Sequence, residues 1–344
     1  MASAAAAAAA AVSDPRSTVR KIIAQDLSAA DFQWSLFVAA LRSYRYDTVL
    51  RPFPNAFSDR DSDTKQVDEL RDVAARVPAL ASVLTDSSNT IPLEAWQLLC
   101  WVLTYGDVKI RTRRKEDVKE LENSAVDRVF EVVENPLTDR RFEASRVDKE
   151  VFFAYHGSRL DNFYSILHNG LLAHMNKNSL FGTGTYLSSE LDVSAAFSPA
   201  SYGWQQSSVS PEFSCVAMCE VVDHPDVKCQ DRAKNRPSRA YADDSLGGKI
   251  PERYYLVQNN SVVRVKYFLL YTATHPRTPS PRPEVLPAGL MRPSPSYCSS
   301  PIALFFRNNK SALVIVAYVF LLVAVGLSSS KSGQHFVRRL LRLT

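Results

Sequence analysis

The hydrophobic positions of this chain change their spacing near residue 110. Between residues 32 and 41 large apolar side chains recur three or four positions apart, with Asp31 near a cap, and residues 68–77 and 93–103 repeat that spacing. Beyond residue 110 the apolar runs are short and are bounded by glycine and polar residues, as strands are. The pattern predicts an α+β chain with an all-helical domain over residues 14–110.

The second part of the chain, residues 111–272, is predicted to form a sheet-containing domain. Residues 111–123 are rich in charge and predict a solvated linker, and residues 126–133 follow as a strand. Residues 228–249 are polar and predict a mobile loop between strands.

The end of this domain is predicted to be a β-hairpin. Residues 254–258 and 261–271 have strand character, and Asn259 and Asn260 between them are typical turn residues. Asn259 also begins a glycosylation sequon, but a strand of a cytosolic domain would stay unmodified.

A short apolar run at residues 151–155 predicts a buried strand that ends in His156-Gly157-Ser158. The next segment, residues 162–170, has helical spacing and ends in a glycine suited to a C-terminal cap. A histidine and a glycine at a strand end are by themselves more often structural than functional.

A glycine-rich turn lies thirty residues beyond that histidine. Gly182-Thr-Gly184-Thr-Tyr186 leads into another predicted strand, and Ser194 and Phe197 follow on a predicted helix. The turn lacks the third glycine of a Rossmann fingerprint, so the pattern does not indicate a Rossmann site.

These motifs, together with a strand that carries Tyr254, occur in an order that resembles the ADP-ribosyltransferase module of the PARP (diphtheria-toxin-like) family. The resemblance covers roughly residues 14–344 and is closest to the tail-anchored mono-ADP-ribosyltransferases of that family. It implies a split β-sheet catalytic domain and a regulatory role for the helical domain packed beside it.

The resemblance also implies NAD as co-substrate, no metal, and roles for five residues. Gly157 would offer backbone groups to the nicotinamide carboxamide, and Ser194 would donate its hydroxyl to the same group. Tyr186 would stack on the nicotinamide ring, with Phe197 on the other side. His156 would bind the adenosine-ribose hydroxyl. The bond that breaks joins nicotinamide to ribose, through an oxocarbenium-like transition state.

Tyr254 departs from the polymerases of the family, which have a glutamate at the corresponding position. A tyrosine hydroxyl has an unperturbed pKa of about 10, so at neutral pH it offers neither a carboxylate charge nor a ready general base. We therefore predict transfer of a single ADP-ribose, with His156, Tyr186 and Tyr254 as catalytic residues and Ser158 among the residues that bind NAD. A weak or inactive NAD-binding module and a non-catalytic membrane tether remain as alternatives.

The segments outside the two domains are low in complexity. Residues 1–13 are mostly alanine and predict a disordered tail, since they lack the basic start and leucine-rich core of a signal peptide. Residues 273–310 predict an extended linker, because eight of the nineteen prolines lie within residues 276–301.

A membrane-spanning tail anchor is predicted at residues 311–330, followed by a basic tail at residues 331–344. Residues 311–327 carry no charge, a length at the short end of the roughly 17–25 residues that a span requires. The basic residues behind the span would favour a cytosolic tail. The large thiol-containing domain without a signal peptide nevertheless predicts a cytosolic catalytic domain. The short span suits the thin endoplasmic reticulum membrane, and the resemblance implies that membrane and the nuclear envelope.

The charge distribution disfavours nucleic acid as a partner. The total charge is +5, but residues 301–344 hold six basic residues and no acidic one, and residues 272–300 hold three arginines and one glutamate. Residues 1–271 are left with a net charge of −3, without a basic footprint. The resemblance implies protein acceptors instead, including the chain itself and stress kinases of the endoplasmic reticulum.

The cysteines predict reduced thiols rather than a disulfide framework, because five in a chain of 344 residues is a small and odd number. Cys215, Cys219, His224 and Cys229 have spacing that superficially suits zinc. Two cysteines four positions apart on one strand lie roughly 13 Å from each other, too far to share a metal.

Overall fold

The structure is a computed structural model that describes residues 14–58, 64–85, 90–175, 180–230 and 239–272. The predicted alanine-rich tail, proline-rich linker, membrane span and basic tail lie outside these residues. Within them, no helix combines the length and the hydropathy that crossing a bilayer requires.

The predicted N-terminal helical region is confirmed, and its described residues form six α-helices. They are α1 (Pro15–Gln25), α2 (Leu27–Arg42), α3 (Tyr46–Val49), α4 (Val67–Ala75), α5 (Leu80–Thr85) and α6 (Leu93–Thr104). Asp26 caps α2, since its side chain accepts a hydrogen bond from the Ala29 N–H at 2.9 Å. Asp31, expected near a cap, is instead buried inside α2 and accepts hydrogen bonds from the backbone N–H and the hydroxyl of Ser208 at 2.7 and 2.8 Å.

The rest of the described chain forms one nine-stranded sheet, flanked by short helices. The strands are β1 (Lys109–Arg113), β2 (Arg128–Glu134), β3 (Val151–Gly157), β4 (Thr185–Ser188), β5 (Ser201–Tyr202), β6 (Glu212–Val222), β7 (Val227–Lys228), β8 (Tyr254–Val257) and β9 (Val263–Thr272). The helices are α7 (Pro136–Arg146), α8 (Phe163–Asn169) and α9 (Leu191–Ala195). The order is β1-β2-β9-β6-β3-β4-β8-β7, with β5 beside β6, and the pairings are antiparallel.

Short 3₁₀ turns connect these elements. They lie at Asn55–Phe57, Tyr105–Asp107, Lys115–Asp117, Lys119–Leu121, Leu160–Asn162, Ala173–Met175 and Asn260–Val262. The glycine predicted to end α8 is confirmed as its C-cap, because Gly170 has a φ of 76° and donates its N–H to the carbonyl of Ile166.

Helix α2 is buried on all sides between the other helices and the sheet. The ring of Phe32 stacks on that of Phe130 in β2, with centroids 4.4 Å apart, and tilts against Phe268 in β9 at 5.6 Å. The ring of Trp34 meets Trp204 edge-on at 6.3 Å. The predicted helical region is therefore present, but it shares one hydrophobic core with the sheet.

A smaller core covers the opposite face of the sheet. Val118, Leu121 and Val126 pack there against side chains of β3, β6 and β9, and Ala195 of α9 joins them. Tyr155, the residue before His156, belongs to this second face.

The predicted linker at residues 111–123 is wrong in its first part. Its first three residues belong to β1, and the side chains of Arg111 and Arg113 contact the carboxylate of Glu131 in β2 at 2.8 and 2.7 Å. Glu131 is only 5% exposed, so the two arginines neutralise a buried charge. The high charge of this segment suggested a solvated linker, but its arginines pair with a carboxylate on the neighbouring strand.

The predicted hairpin at residues 254–271 is also wrong. Strand β8 pairs with β4 and β7, whereas β9 pairs with β2 and β6. The side chain of Asn259 accepts a hydrogen bond from the Ser261 N–H at 2.9 Å and donates one to Asp226 at 3.0 Å. These bonds turn the chain into a 3₁₀ turn and carry it away from β8 instead of reversing it.

The described part of the predicted mobile loop is attached to its surroundings. Arg239 is buried, forms an ion pair with Asp223, and donates to the carbonyl of Val227 at 2.9 and 3.0 Å. The N–H of Gly247 donates to the carbonyl of Leu180 at 2.6 Å. Residues 239–249 thereby pack against the glycine-rich turn of the candidate site.

Candidate active site

His156 lies at the end of β3 and its ring is held by the neighbouring strand. Its Nδ1 is 2.9 Å from the carbonyl oxygen of Tyr186 in β4. A carbonyl can only accept, so Nδ1 carries the proton and Nε2 is left as an acceptor. Burial lowers the pKa of His156 below its ordinary 6.5, against the opposing effect of this hydrogen bond, and favours the neutral ring.

Gly157 is required by the close approach of α9 to β3. A Cβ at this position would lie 1.7 Å from the carbonyl oxygen of Ser194 and 3.1 Å from the Cβ of Phe197. Only glycine fits there. Phe197, half-buried, therefore stands directly beside the backbone of Gly157.

Two serines flank this glycine and both are fixed by hydrogen bonds. The hydroxyl of Ser194 is buried and donates to the carbonyl of Tyr155 at 2.8 Å. Its proton is thus engaged with the protein backbone, which leaves the hydroxyl oxygen as an acceptor. The N–H of Ser158 donates to the hydroxyl of Ser198 at 3.0 Å.

Tyr186 serves both the turn before it and the strand that carries it. Its hydroxyl donates to the carbonyl of Gly182 at 2.8 Å and accepts from the N–H of Phe181 at 3.1 Å. Burial raises the pKa of Tyr186, so the phenol stays neutral. The half-buried ring of Tyr186 is therefore fixed at its hydroxyl end by the glycine-rich turn that precedes it.

Tyr254, the first residue of β8, is 8% exposed, and its hydroxyl is buried without a hydrogen-bond partner among the described residues. A buried polar atom left unpaired costs roughly 1–3 kcal/mol, so this hydroxyl would gain from a hydrogen bond to a ligand. Burial also raises the pKa of Tyr254, partly offset by Arg253.

The sheet register brings the predicted aromatic residues to one face. Tyr155 of β3 lies opposite Ser188 of β4, which in turn lies opposite Tyr254 of β8. Tyr186 is two positions from Ser188 and shares its face, where diagonal neighbours are roughly 7–8 Å apart. The structure therefore brings Tyr186 and Tyr254 together, beside the strand that ends in His156.

Comparison with known proteins agrees with this geometry. A family model described as the poly(ADP-ribose) polymerase catalytic domain matches residues 105–273, and one described as the ARTD15 N-terminal domain matches residues 21–103. The chain is 36% identical to protein mono-ADP-ribosyltransferase PARP16 of Mus musculus, over 95% of this chain and 98% of that protein. For PARP16 of Homo sapiens the identity is also 36%, over 93% and 96%.

The chain belongs to the PARP family. A more distant relative, protein mono-ADP-ribosyltransferase PARP8 of Mus musculus, is 26% identical over 60% of this chain and 29% of its own length. The predicted PARP resemblance is confirmed, and with it an ADP-ribosyltransferase enzyme with an α+β fold. The PARP catalytic domain uses NAD as its substrate.

Several side chains that support this PARP site escaped the sequence analysis. Ser198 holds the backbone of Ser158, and Ser188 donates to the carbonyl of Arg253 at 2.9 Å, next to Tyr254. The carboxylate of Asp244 accepts from the N–H of Thr183 at 2.7 Å and steadies the glycine-rich turn. Ser198 lies four residues after Ser194 and three beyond the end of α9, and its nearness to that serine in the sequence was the available signal.

The described ranges offer no cluster of three or more histidine, cysteine or acidic side chains that could hold a metal. Cys215 and Cys219 are both buried in β6, and neither forms a disulfide. Burial raises the pKa of the Cys219 thiol, which disfavours the thiolate needed for metal binding.

Proposed function

We propose that this chain moves a single ADP-ribose from NAD to a protein side chain and releases nicotinamide. The observation that carries the proposal is Tyr254, a neutral tyrosine with an unpartnered buried hydroxyl where polymerases of the family have glutamate. Its relatives are named mono-ADP-ribosyltransferases, in agreement.

The site residues divide the work between holding NAD and opening its glycosidic bond. His156 Nε2 accepts a hydrogen bond from a hydroxyl of the adenosine ribose, because Nδ1–H is committed to the Tyr186 carbonyl. The backbone of Gly157 binds the carboxamide, and the oxygen of Ser194 accepts from its amide N–H. The rings of Tyr186 and Phe197 enclose the nicotinamide.

Tyr254 supports the ribose as nicotinamide leaves. Its hydroxyl donates a hydrogen bond to a ribose hydroxyl, which supplies the partner that it lacks among the described residues. It supplies no negative charge and does not deprotonate a ribose hydroxyl, because burial holds its pKa above the ordinary 10. Chain growth needs that deprotonation, so the reaction ends after one transfer.

The rival proposal is an NAD-binding module without activity. The same tyrosine supports it, since loss of the carboxylate weakens stabilisation of a cationic transition state. A buried hydroxyl that has no partner among the described residues favours an active site, because a buried tyrosine hydroxyl is usually hydrogen-bonded.

Location and partners extend the proposal beyond the described residues. Residues 311–330 would anchor the chain in the endoplasmic reticulum membrane and nuclear envelope with the catalytic domain in the cytosol. Their support is the uncharged run at residues 311–327. The proposed acceptors are the chain itself and stress kinases of that membrane, on the strength of the family resemblance alone.

The deciding experiment incubates the full chain with labelled NAD and resolves the protein products by size. Single ADP-ribose units on protein, with stoichiometric nicotinamide release, are expected. His156→Ala and Tyr186→Ala should abolish labelling while the chain stays folded. NAD binding by the wild type without nicotinamide release would establish the rival, and ladders of polymer would contradict the role given to Tyr254.

A further inference from the structure

A buried carboxylate joins the helical region to the segment that follows the His-Gly motif. Asp161, 7% exposed, accepts from the hydroxyl of Ser43 at 2.7 Å and from the guanidinium of Arg45 at 3.0 Å. Arg159 contacts the same carboxylate at 3.4 Å. Ser43 and Arg45 lie just after α2, so these bonds fix the end of that helix against the catalytic region.

The guanidinium of Arg45 makes a second hydrogen bond, which connects it through Asn162 to Ser158. Its Nη2 donates to Oδ1 of Asn162 at 2.9 Å, and Nδ2 of Asn162 donates to the hydroxyl oxygen of Ser158 at 2.8 Å. The N–H of Ser158 is bound to Ser198. An unbroken series of hydrogen bonds therefore runs from the helical region to the residue beside Gly157.

Arg45 decides which way the amide of Asn162 faces. A guanidinium can only donate, so it selects the amide oxygen and directs the NH₂ group to Ser158. The hydroxyl of Ser158 must then accept from Asn162, which leaves its own proton to be given to a ligand. Without Arg45, the amide is able to turn over, and its oxygen would take up the Ser158 proton.

We propose that Arg45 is a positioning residue for NAD, which sets the direction of hydrogen bonding at Ser158 through Asn162. The inference rests on the proposed function, because Ser158 is predicted to bind NAD and its free hydroxyl proton is here assigned to that contact. Arg45 touches no reacting atom. It orders a donor and the adjoining backbone of Gly157, so its loss weakens NAD binding more than it slows the chemical step.

Asn162→Asp separates this role from a merely structural one. The substituted carboxylate still accepts from Arg45, and the ion pair between Arg45 and Asp161 stays in place. It has no donor for Ser158, however, and accepts the serine proton instead. The variant should therefore stay folded and yet bind NAD as weakly as Arg45→Ala.

The experiment measures NAD affinity by calorimetry, the KM and kcat of nicotinamide release, and thermal stability, all on the full chain. Arg45→Ala and Asn162→Asp should each raise the Kd of NAD roughly three- to tenfold, the factor of one net hydrogen bond, with a smaller change in kcat. Ser158→Ala should match them. Arg45→Ala combined with Ser158→Ala should be no worse than either alone, because the two act as one unit.

Arg42→Ala is the matched control, since Arg42 is exposed and lies three positions away at the end of α2. It should leave the Kd of NAD unchanged. The proposal is overturned if Asn162→Asp binds NAD as well as the wild type, or if the effects of Arg45→Ala and Ser158→Ala add.

Should Arg45→Ala fail to fold, the NAD affinities of Asn162→Asp and Ser158→Ala are compared instead. A wild type that binds NAD without releasing nicotinamide contradicts the proposed function and leaves the binding comparison to decide this one.

Discussion

Gly157 and Ser194 approach so closely that residue 157 has no room for a side chain. The nearest atom to a Cβ there is a backbone carbonyl oxygen, at 1.7 Å, which cannot rotate out of the way. The contact joins the end of β3 to α9 and brings the proposed carboxamide-binding backbone next to Phe197.

Gly157→Ala should therefore damage both stability and NAD binding. Overpacking costs about 1–3 kcal/mol of unfolding free energy, and the displacement of α9 should reduce NAD affinity at least tenfold. Urea unfolding and calorimetry with NAD measure the two effects. Gly203→Ala is the control, because the nearest atoms to its Cβ would belong to side chains, the ring of Phe213 at 3.0 Å and the Cβ of Ser35 at 3.6 Å. Unchanged NAD affinity in Gly157→Ala would contradict the placement of the pocket.

NAD affinity should fall at acidic pH because of His156. Its pKa in the folded chain lies below 6.5, so the ring is neutral at pH 7 and Nε2 accepts. As the pH falls through that pKa, Nε2 gains a proton and the acceptor is lost. We expect a constant Kd from pH 8 to 7 and a rising Kd below pH 6.5. Calorimetry at several pH values checks this, and His156→Gln should abolish the dependence. A midpoint above 6.5 would contradict the lowered pKa of His156.

Tyr254→Phe should separate activity from stability. The hydroxyl has no partner among the described residues, so its removal should leave the free energy of unfolding unchanged or raise it by up to about 1–3 kcal/mol. Nicotinamide release should nevertheless fall at least tenfold, since the hydroxyl is proposed to bind ribose. Tyr255→Phe, at the neighbouring position of β8, is the comparison. A less stable but fully active Tyr254→Phe would show that the hydroxyl is structural.

Stability should depend on pH through His168, on α8 at the interface with the helices. Burial lowers its pKa to about 4, and its ring lies 4.8 Å from that of Tyr164. Between pH 6.5 and 4 the unfolded chain binds a proton that the folded chain does not. The free energy of unfolding should therefore fall by about 3 kcal/mol as the pH is lowered across this window. Urea unfolding at pH 7 and 4.5 measures it. His168→Phe should reduce the fall, and His174→Phe, at an exposed site, should not.

The membrane proposal predicts that the full chain resists alkaline carbonate extraction from endoplasmic reticulum membranes. A helix of the 17 residues from 311 to 327 would span about 26 Å, close to the roughly 27 Å core of that membrane. A chain ending at Ser300 should be soluble and active. A glycosylation site appended after Thr344 should be modified while Asn259 is not; the opposite pattern would invert the topology.

Local features of the fold were readable from the sequence, and pairings between distant segments were not. Strand β3 and helix α8 follow from the apolar spacing around the His-Gly motif, and the capping role of Gly170 follows from its type. The failed hairpin shows the limit, because β8 and β9 pair with strands remote in sequence. Periodicity does not report which partner a strand will choose.

The site was readable as far as its motifs extend. His156, Gly157 and Tyr186 could be proposed as site residues because their spacing is characteristic. Asn162 was missed, since its importance lies in facing Arg45, 117 positions away in the chain. The direction of the Ser194 bond was missed as well, because only the folded backbone places the Tyr155 carbonyl within its reach.

The stack of Phe32 on Phe130 limits how a signal from the helices can travel. A ligand that bound the helical region would act on helices that share one hydrophobic core with the sheet, since α2 is buried on all sides. Rotation about a hinge would have to open that core and expose its aromatic rings to water. Binding would instead change the packing between the helices and the sheet by small shifts, on the order of an ångström, that reach the NAD site. It would be visible as a change in affinity and in hydrogen exchange, without a change in the radius of gyration.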